Sequence, residues 1–324
     1  MRILFALLVL LSHSQEIPTG DRATEYLSIL THRYMTFGDL GVDGFFLLSG
    51  FLITKSWLHD PNPMNYLRKR ILRIVPGYLV AALLSTLIVG LLVPGESNFF
   101  SKLGLPFAKS IVLLGSPSTP VVFPGSYFTI VNGSMWTITY EFFCYLLVMV
   151  LGVAGIFRRS VIWLALTAIL MVPLFFPLHT AHFAINQIFR LTAVFCVGGC
   201  FHLFREYIDF RPAFAIMAGI ALGLFQLFAI AHIEAALVVF GGYLMFYFVQ
   251  QPSRSIAFPD VSYGIYLYGW PVESLWIWYH NGPPWITFLV STVICFGLGW
   301  ASWHFIERPM LSLKRKSIAP LPAS

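Results

Sequence analysis

The sequence carries little charge. Lys, Arg, Asp and Glu make up 10% of its 324 residues, whereas a soluble domain carries about 25%. Hydrophobic residues reach 58% and the mean hydropathy is +0.78, so the chain cannot cover a water-facing surface. We therefore exclude a soluble enzyme and predict an all-α fold, a polytopic integral membrane protein whose main solvent is the lipid bilayer.

The sequence also has few cysteines and none of the short motifs that hold nucleotides or metals. No Walker, dinucleotide-binding, HExxH or GxSxG pattern is present. His179 and His182 have the spacing of some metal pairs but no evident third ligand, so we expect no metal. All four cysteines lie inside apolar runs, where free cysteine packs as a small hydrophobe. They are Cys144, Cys196, Cys200 and Cys295.

Long apolar runs are abundant, and most are near the ~20 residues that cross a bilayer. They predict about ten transmembrane helices. The predicted spans are 1–18, 40–58, 73–94, 134–156, 160–178, 187–205, 212–232, 233–250, 261–280 and 284–306. Most of the 20 basic residues fall in loops on one side of these spans. This bias predicts that both termini are cytoplasmic, and it explains the pI of about 9.2 without nucleic-acid binding.

We expect residues 1–324 to form a single transmembrane domain, without a fused periplasmic domain. Residues 310–324 are predicted to be a short basic cytoplasmic tail, suited to the anionic inner leaflet. The longest stretch outside the spans is 94–133, and we expect a short re-entrant or interfacial helix near 105–115.

The first run, MRILFALLVLLSHS, has two interpretations. Arg2, an apolar stretch and small polar residues are typical of a signal peptide that is removed. Alternatively the run is a retained helix, which brings Arg2 and His13 to one face, about 16 Å apart along the axis. His13 then lies within the bilayer, where an ionisable group is by default a functional-site hypothesis. The following SHSQE is a poor cleavage context, which favours the helix.

Two further stretches carry polar groups next to apolar runs. In GDLGVDGFFLLSGFLIT (38–54), Asp43 and Ser49 are the polar members of a glycine-rich run, which indicates either close helix packing or a ligand site. In RKRILRIVPGY (68–78), Arg68, Arg70 and Arg73 offer bidentate partners for phosphates. Ordinary membrane anchoring is the alternative, although it explains Arg73 less well.

Two later stretches complete the candidate residues. Glu141, with Trp136 before it, lies within an apolar span, and a buried carboxylate needs a partner. His13 or an arginine is the natural candidate for this partner. A glutamate that orients a histidine suits acid–base chemistry, and a structural ion pair is the alternative. In SYGIYLYGWPV (262–272), Tyr263 belongs to an aromatic stripe that either packs or lines a sugar or acyl channel.

Together these stretches resemble the acyltransferase-3 family of membrane-bound bacterial O-acyltransferases. The Arg2–His13 pair, GVDGFFLLSGFLIT, RKRILRIVPGY, WTITYEFFCYLL, SYGIYLYGWPV and IERP follow the family's order over nearly the whole chain. The resemblance implies ten core helices in the bacterial inner (cytoplasmic) membrane and no permanently bound cofactor. It also implies cytosolic acyl-CoA, above all acetyl-CoA, as donor and a glycan or lipid-linked saccharide as acceptor. One departure is Gly269, where many members have histidine.

By this resemblance His13 matches the family's essential histidine, and we predict that it is a general base oriented by Glu141 or Asp43. A covalent acyl-histidine is the variant mechanism. The residues predicted to hold the donor's phosphates are Arg2, Arg68, Arg70 and Arg73. The residues predicted to line the substrate channel are Ser49, Trp136 and Tyr263.

Two rival functions stay open at this point. A transporter or flippase for a glycan or small anion would use the intramembrane Arg, His and Glu as a relay or binding site. A non-catalytic membrane-anchor partner would tolerate substitution of His13 and Glu141. The sequence predicts neither the acyl group, nor the glycan hydroxyl, nor an oligomeric state.

Overall fold

The structure is a computed structural model, and it describes residues 1–93, 98–176, 182–250, 259–280 and 282–313. Within these ranges the chain is helical and contains no strand, as its hydropathy predicts. The α-helices are α1 (Arg2–Thr19), α2 (Tyr26–Leu30), α3 (Phe37–His59), α4 (Pro63–Leu92), α5 (Leu105–Val112), α6 (Trp136–Val153), α7 (Ser160–Phe175), α8 (Phe183–Leu203), α9 (Pro212–Phe228), α10 (Ile233–Ala236), α11 (Gly242–Gln250), α12 (Ser262–His280), α13 (Pro284–Ser302) and α14 (Arg308–Ser312).

Among the described residues, six helical segments are long and apolar enough to cross a membrane. They are Phe37–His59, Pro63–Leu92, Trp136–Val153, Phe183–Leu203, Ile230–Gln250 and Pro284–Ser312. Many large apolar side chains are exposed on helix surfaces, among them Leu91, Phe228 and Val293, which suits contact with lipid. The multi-pass character is therefore confirmed, whereas the count of ten spans and the side of the termini stay predictions. Residues 314–324 of the predicted tail lie outside the described residues.

Some helix boundaries differ from the hydropathy limits. The helix that carries the basic stretch begins at Pro63 instead of 73, because Lys and Arg are good helix formers and a proline suits a helix's first turn. The expected helix near 105–115 is α5, and a 3₁₀ segment over Ile230–His232 lies where the predicted spans 212–232 and 233–250 meet. The length of an apolar run thus predicts which part of a helix can cross the membrane, but not the residue at which the helix begins.

The chain divides into two compact units, and the first comprises Met1–Ser12, Asp21–Pro63 and Tyr140–Ala257. Here α3 and α8 touch through backbone atoms. A Cβ added at Gly50 would lie 1.9 Å from the Phe195 carbonyl oxygen, and one at Gly198 would lie 2.0 Å from the Leu47 carbonyl oxygen. Only glycine permits this approach, which is the small-residue packing typical of membrane helices.

The second unit comprises His13–Gly20, Met64–Thr139 and Phe258–Ser324. Its helices α12 and α13 also meet at glycines, since a Cβ at Gly264 would lie 2.5 Å from the Cα of Gly299. A buried cluster joins the end of α4 to the loop that precedes α6. Its members are Val89, Val93, Phe99, Val122, Phe123 and Val131. The prediction of a single domain is neither supported nor contradicted by this division.

Candidate active site

His13 lies in the second unit, buried on the last part of α1. Its ring meets the Trp270 indole edge-on, with ring centroids 4.9 Å apart and an interplanar angle of 78°. Its Nδ1 lies 4.0 Å from Oε2 of Glu273, a fully buried carboxylate of α12. Glu16, also buried, is close enough to Glu273 to interact electrostatically. A histidine beside a carboxylate is an arrangement that acid–base catalysis uses.

The backbone near Trp270 is held by the NGS stretch that precedes α6. Pro271 has no N–H, so it cannot donate to the carbonyl of Leu267 four residues earlier. Asn132, fully buried, supplies the missing donor: its Nδ2 donates to that carbonyl over 2.9 Å. A Cβ at Gly133 would lie 2.6 Å from Cε2 of Trp270. This stretch therefore fixes the part of α12 that meets the histidine.

Arg73 is compensated by two carboxylates of the second unit. Its Nη2 donates to Oδ2 of Asp260 over 2.6 Å, and its Nη1 donates to Oε2 of Glu307 over 3.4 Å. Its guanidinium also lies 5.8 Å from the Tyr263 ring centroid and 6.0 Å from that of Trp303. A phosphate that binds Arg73 would therefore compete with both carboxylates. The two ion pairs also link α4 to residues near the end of the chain.

The other α4 arginines are less enclosed. Arg70 is partly exposed and lies over the Tyr66 ring at 5.5 Å, while the exposed Arg68 donates to the Leu313 carbonyl over 3.3 Å. Both belong to the same unit as His13, whereas Arg2 begins α1 in the first unit. Binding of phosphates by any of them stays a prediction.

Glu141 lies in the first unit, where two hydroxyl groups donate to one of its oxygens. Ser49 Oγ donates to Oε1 over 2.8 Å, and the Tyr145 hydroxyl donates to the same atom over 2.6 Å. These two partners were not predicted from the sequence. The prediction that Glu141 orients His13, which belongs to the second unit, stays a prediction.

Asp43, the other predicted orienting residue, is held by Arg190 within the first unit. Arg190 Nη2 donates to Oδ1 of Asp43 over 2.8 Å, and Arg190 Nε donates to Glu234. Asp39 lies 3.8 Å from the same guanidinium. No local pattern in the sequence indicates this network, because Asp43 and Arg190 are far apart along the chain. A role of Asp43 towards His13 stays a prediction.

Glu25 is a third carboxylate with defined donors in the first unit. Ser12 Oγ donates to its Oε2 over 2.7 Å, and the Phe37 backbone N–H donates to its Oε1. The side chain is fully buried, and this burial raises the pKa of the Glu25 carboxyl. Glu25 thus joins α1 to the start of α3.

The predicted channel residues occupy different places. The Tyr263 hydroxyl donates to the Ile74 carbonyl over 2.9 Å, and its ring closes over Gly77. Trp136 begins α6 and is partly buried. Their lining of a channel, like that of Ser49, stays a prediction. Among the described residues, no three His, Cys, Asp or Glu side chains could hold a metal ion; His179 is outside them.

Comparison with known proteins gives the class of this chain. Residues 1–304 match the family model of an acyltransferase domain, that of the acyltransferase-3 family. The chain therefore belongs to this family, and it is a membrane acyltransferase. The resemblance carried by the sequence motifs is confirmed.

Two relatives resemble this chain over most of their own length. Nodulation protein 10 from Rhizobium leguminosarum bv. viciae is 26% identical, over 88% of this chain and 85% of its own. The O-acetyl transferase of Shigella phage Sf6 is 23% identical, over 96% of this chain and 94% of its own. No solved structure gave a significant match.

Proposed function

We propose that this acyltransferase is an O-acyltransferase of the bacterial inner membrane. It moves an acyl group, above all acetyl, from cytosolic acyl-CoA to a hydroxyl of a cell-surface or exported glycan. The family match and the similarity to a phage O-acetyl transferase support this proposal. The observation that carries it furthest is the buried His13, whose Nδ1 is 4.0 Å from the Glu273 carboxylate.

His13 acts as the general base. Its Nε2 takes the proton of the acceptor hydroxyl while the hydroxyl oxygen attacks the thioester carbonyl. The carbon–sulfur bond breaks, and the coenzyme A thiolate leaves with the proton that His13 returns. General-base assistance of this kind contributes typically 10²–10⁴-fold to the rate.

The donor enters from the cytoplasmic side. The early part of α4 carries Arg68, Arg70 and Arg73 together, and it belongs to the same unit as His13. Guanidinium groups bind phosphate oxygens bidentately, which suits the phosphates of coenzyme A. The ten-span topology with both termini in the cytoplasm puts these arginines at the cytoplasmic interface, as the positive-inside rule expects.

The test is transfer from radiolabelled acetyl-CoA to isolated glycan by membranes that contain the protein. We expect His13→Ala to lower the rate by about 10²–10⁴-fold, while His280→Ala, which removes an exposed histidine of α12, serves as the matched control. Normal transfer by His13→Ala would overturn the assignment of the base. A transporter would instead move the glycan without consuming acetyl-CoA.

The acyl group itself can be identified separately. A mass spectrum of surface glycan from cells with and without the gene gives the added mass, which distinguishes acetyl from succinyl or longer groups. An unchanged glycan mass would contradict a glycan acceptor.

A further inference from the structure

We propose that Glu273 is the positioning residue for His13. Its carboxylate accepts the Nδ1–H of the imidazole, which leaves Nε2 without a proton and ready to take one from the acceptor hydroxyl. The inference rests on the proposed function of His13 as the base, and it gives Glu273 the orienting role for which the sequence suggested Glu141 or Asp43.

The geometry supports this pairing. Oε2 of Glu273 faces Nδ1 and not Nε2, at 4.0 Å, a separation that a small side-chain movement or one bridging water closes. Catalytic hydrogen bonds are often long before substrate binds. The edge-on contact with Trp270, which lies three residues before Glu273 on α12, restricts the rotation of the imidazole.

Glu273 is also a buried carboxylate whose presence is not explained by the surrounding packing. Glu273 is fully buried, with a relative exposure of 0%. In the part of the chain that the structure describes, neither of its oxygens has a hydrogen-bond partner. A buried carboxylate without donors destabilises the fold, so a group retained in this state calls for an explanation. The imidazolium that His13 becomes during acyl transfer is such an explanation, because the Glu273 carboxylate compensates its positive charge.

The groups that face Glu273 come from two neighbouring helices. His13 and Glu16 lie on α1, and Cys295 lies on α13 close enough to interact electrostatically. Glu16 shares a helix with His13, whereas Glu273 comes from α12, which Asn132 holds through the Leu267 carbonyl. Glu273 is therefore placed by the tertiary structure, which suits a residue that must fix a ring orientation.

The proton balance is simple. Nδ1 keeps its proton throughout, and Nε2 first receives the hydroxyl proton and then delivers it to the departing thiolate. Between the two transfers the Glu273 carboxylate accepts the Nδ1–H and compensates the positive charge of the imidazolium. No proton passes to Glu273, so its role is orientation and electrostatic stabilisation.

The test measures the tautomer of His13 directly. Full-length protein labelled with ¹⁵N-histidine is reconstituted in bilayers, and its ring nitrogens are observed by solid-state NMR. The His13→Asn spectrum identifies the His13 signals by their loss. We expect the wild type and Glu273→Asp to show a protonated Nδ1, and Glu273→Met to show a mixture of tautomers, because the methionine thioether is only a weak hydrogen-bond acceptor.

Two controls keep this test decisive. Methionine has a volume similar to that of glutamate, and replacing an unpartnered buried carboxylate by an apolar side chain is nearly neutral for folding; if Glu273→Met does not fold, Glu273→Leu replaces it, with a changed tautomer distribution again expected. Glu16→Gln removes a neighbouring carboxylate and should keep the wild-type tautomer. An unchanged tautomer in the folded Glu273 variant, or an equal change in Glu16→Gln, would overturn the proposal.

Kinetics give a second readout. Glu273→Met should lower kcat by about 10²-fold and leave the KM for acetyl-CoA within about twofold, with partial recovery in Glu273→Asp. A KM effect alone would contradict a positioning role. Because the NMR readout does not depend on turnover, it separates this proposal from the proposed function. Full activity of His13→Ala would remove the function but not the pairing, and an unchanged tautomer would remove the pairing alone.

Discussion

Three carboxylates, two of the first unit and one of the second, differ in how they are satisfied. In the first unit, Asp43 accepts from Arg190 and Glu141 accepts from two hydroxyls. In the second unit, Glu273 is fully buried, and no hydrogen-bond donor reaches it among the described residues. Its near neighbour is a histidine, a group that gains and loses a proton near neutral pH.

This difference distinguishes carboxylates that stabilise the fold from a carboxylate that supports the reaction. A carboxylate with donors in place is compensated before any substrate arrives, so its removal should mainly affect folding. A carboxylate beside a histidine and without other donors is compensated only when the imidazole is protonated, so its removal should mainly affect the reaction. Three substitutions test this contrast, from the largest to the smallest expected effect on the free energy of unfolding.

Loss of the central cation of the first unit should have the largest effect. Arg190→Met leaves the buried Asp43 and the partly buried Glu234 without their counter-ion, and breaking a buried ion pair costs about 3–5 kcal/mol. Thermal unfolding in detergent can be followed with a thiol-reactive dye, because Cys144, Cys196 and Cys295 are buried in the fold. An unfolding temperature equal to that of the wild type would mean that the network does not stabilise the unit.

A smaller loss is expected where α3 and α8 touch. Gly50→Ala places a methyl group on the Phe195 carbonyl and forces the helices apart, at a cost of about 1–3 kcal/mol. The matched control is Gly219→Ala on α9, where an added Cβ meets no atom within 4 Å. The same dye assay should show a lower unfolding temperature for the first variant only. Equal shifts in both would contradict the account of the α3–α8 contact.

Ser49→Ala should have the smallest effect of the three. It removes one of two donors to Oε1 of Glu141, and the Tyr145 hydroxyl stays in place. The expected loss is about 1 kcal/mol, measured again as the unfolding temperature. A loss as large as that of Arg190→Met would show that Glu141 depends on Ser49 alone.

The course of the chain could be predicted from the sequence because it follows from local patterns. Apolar runs of bilayer length indicated the helices, and the glycine-rich stretch around Ser49 indicated close packing, which Gly50 shows against α8. The start of α4 at Pro63 was not predicted, because hydropathy excludes a basic helical turn from a span.

The partners of the charged residues could not be predicted in the same way. His13 and Glu273 lie far apart in the sequence, as do Arg73 and Glu307, and only the tertiary fold brings each pair together. A signal for Glu273 was nevertheless present, since it is an acidic residue within the apolar run GWPVESLWIW. Glu273 was, however, not among the predicted site residues.

The most direct test of the contrast combines transfer and unfolding measurements on His13→Ala. We expect radiolabelled acetyl transfer by His13→Ala to fall by about 10²–10⁴-fold, while its unfolding temperature stays within a few degrees of the wild type. Transfer at the wild-type rate by folded His13→Ala protein would contradict the claim that the chemistry depends on the histidine of the second unit.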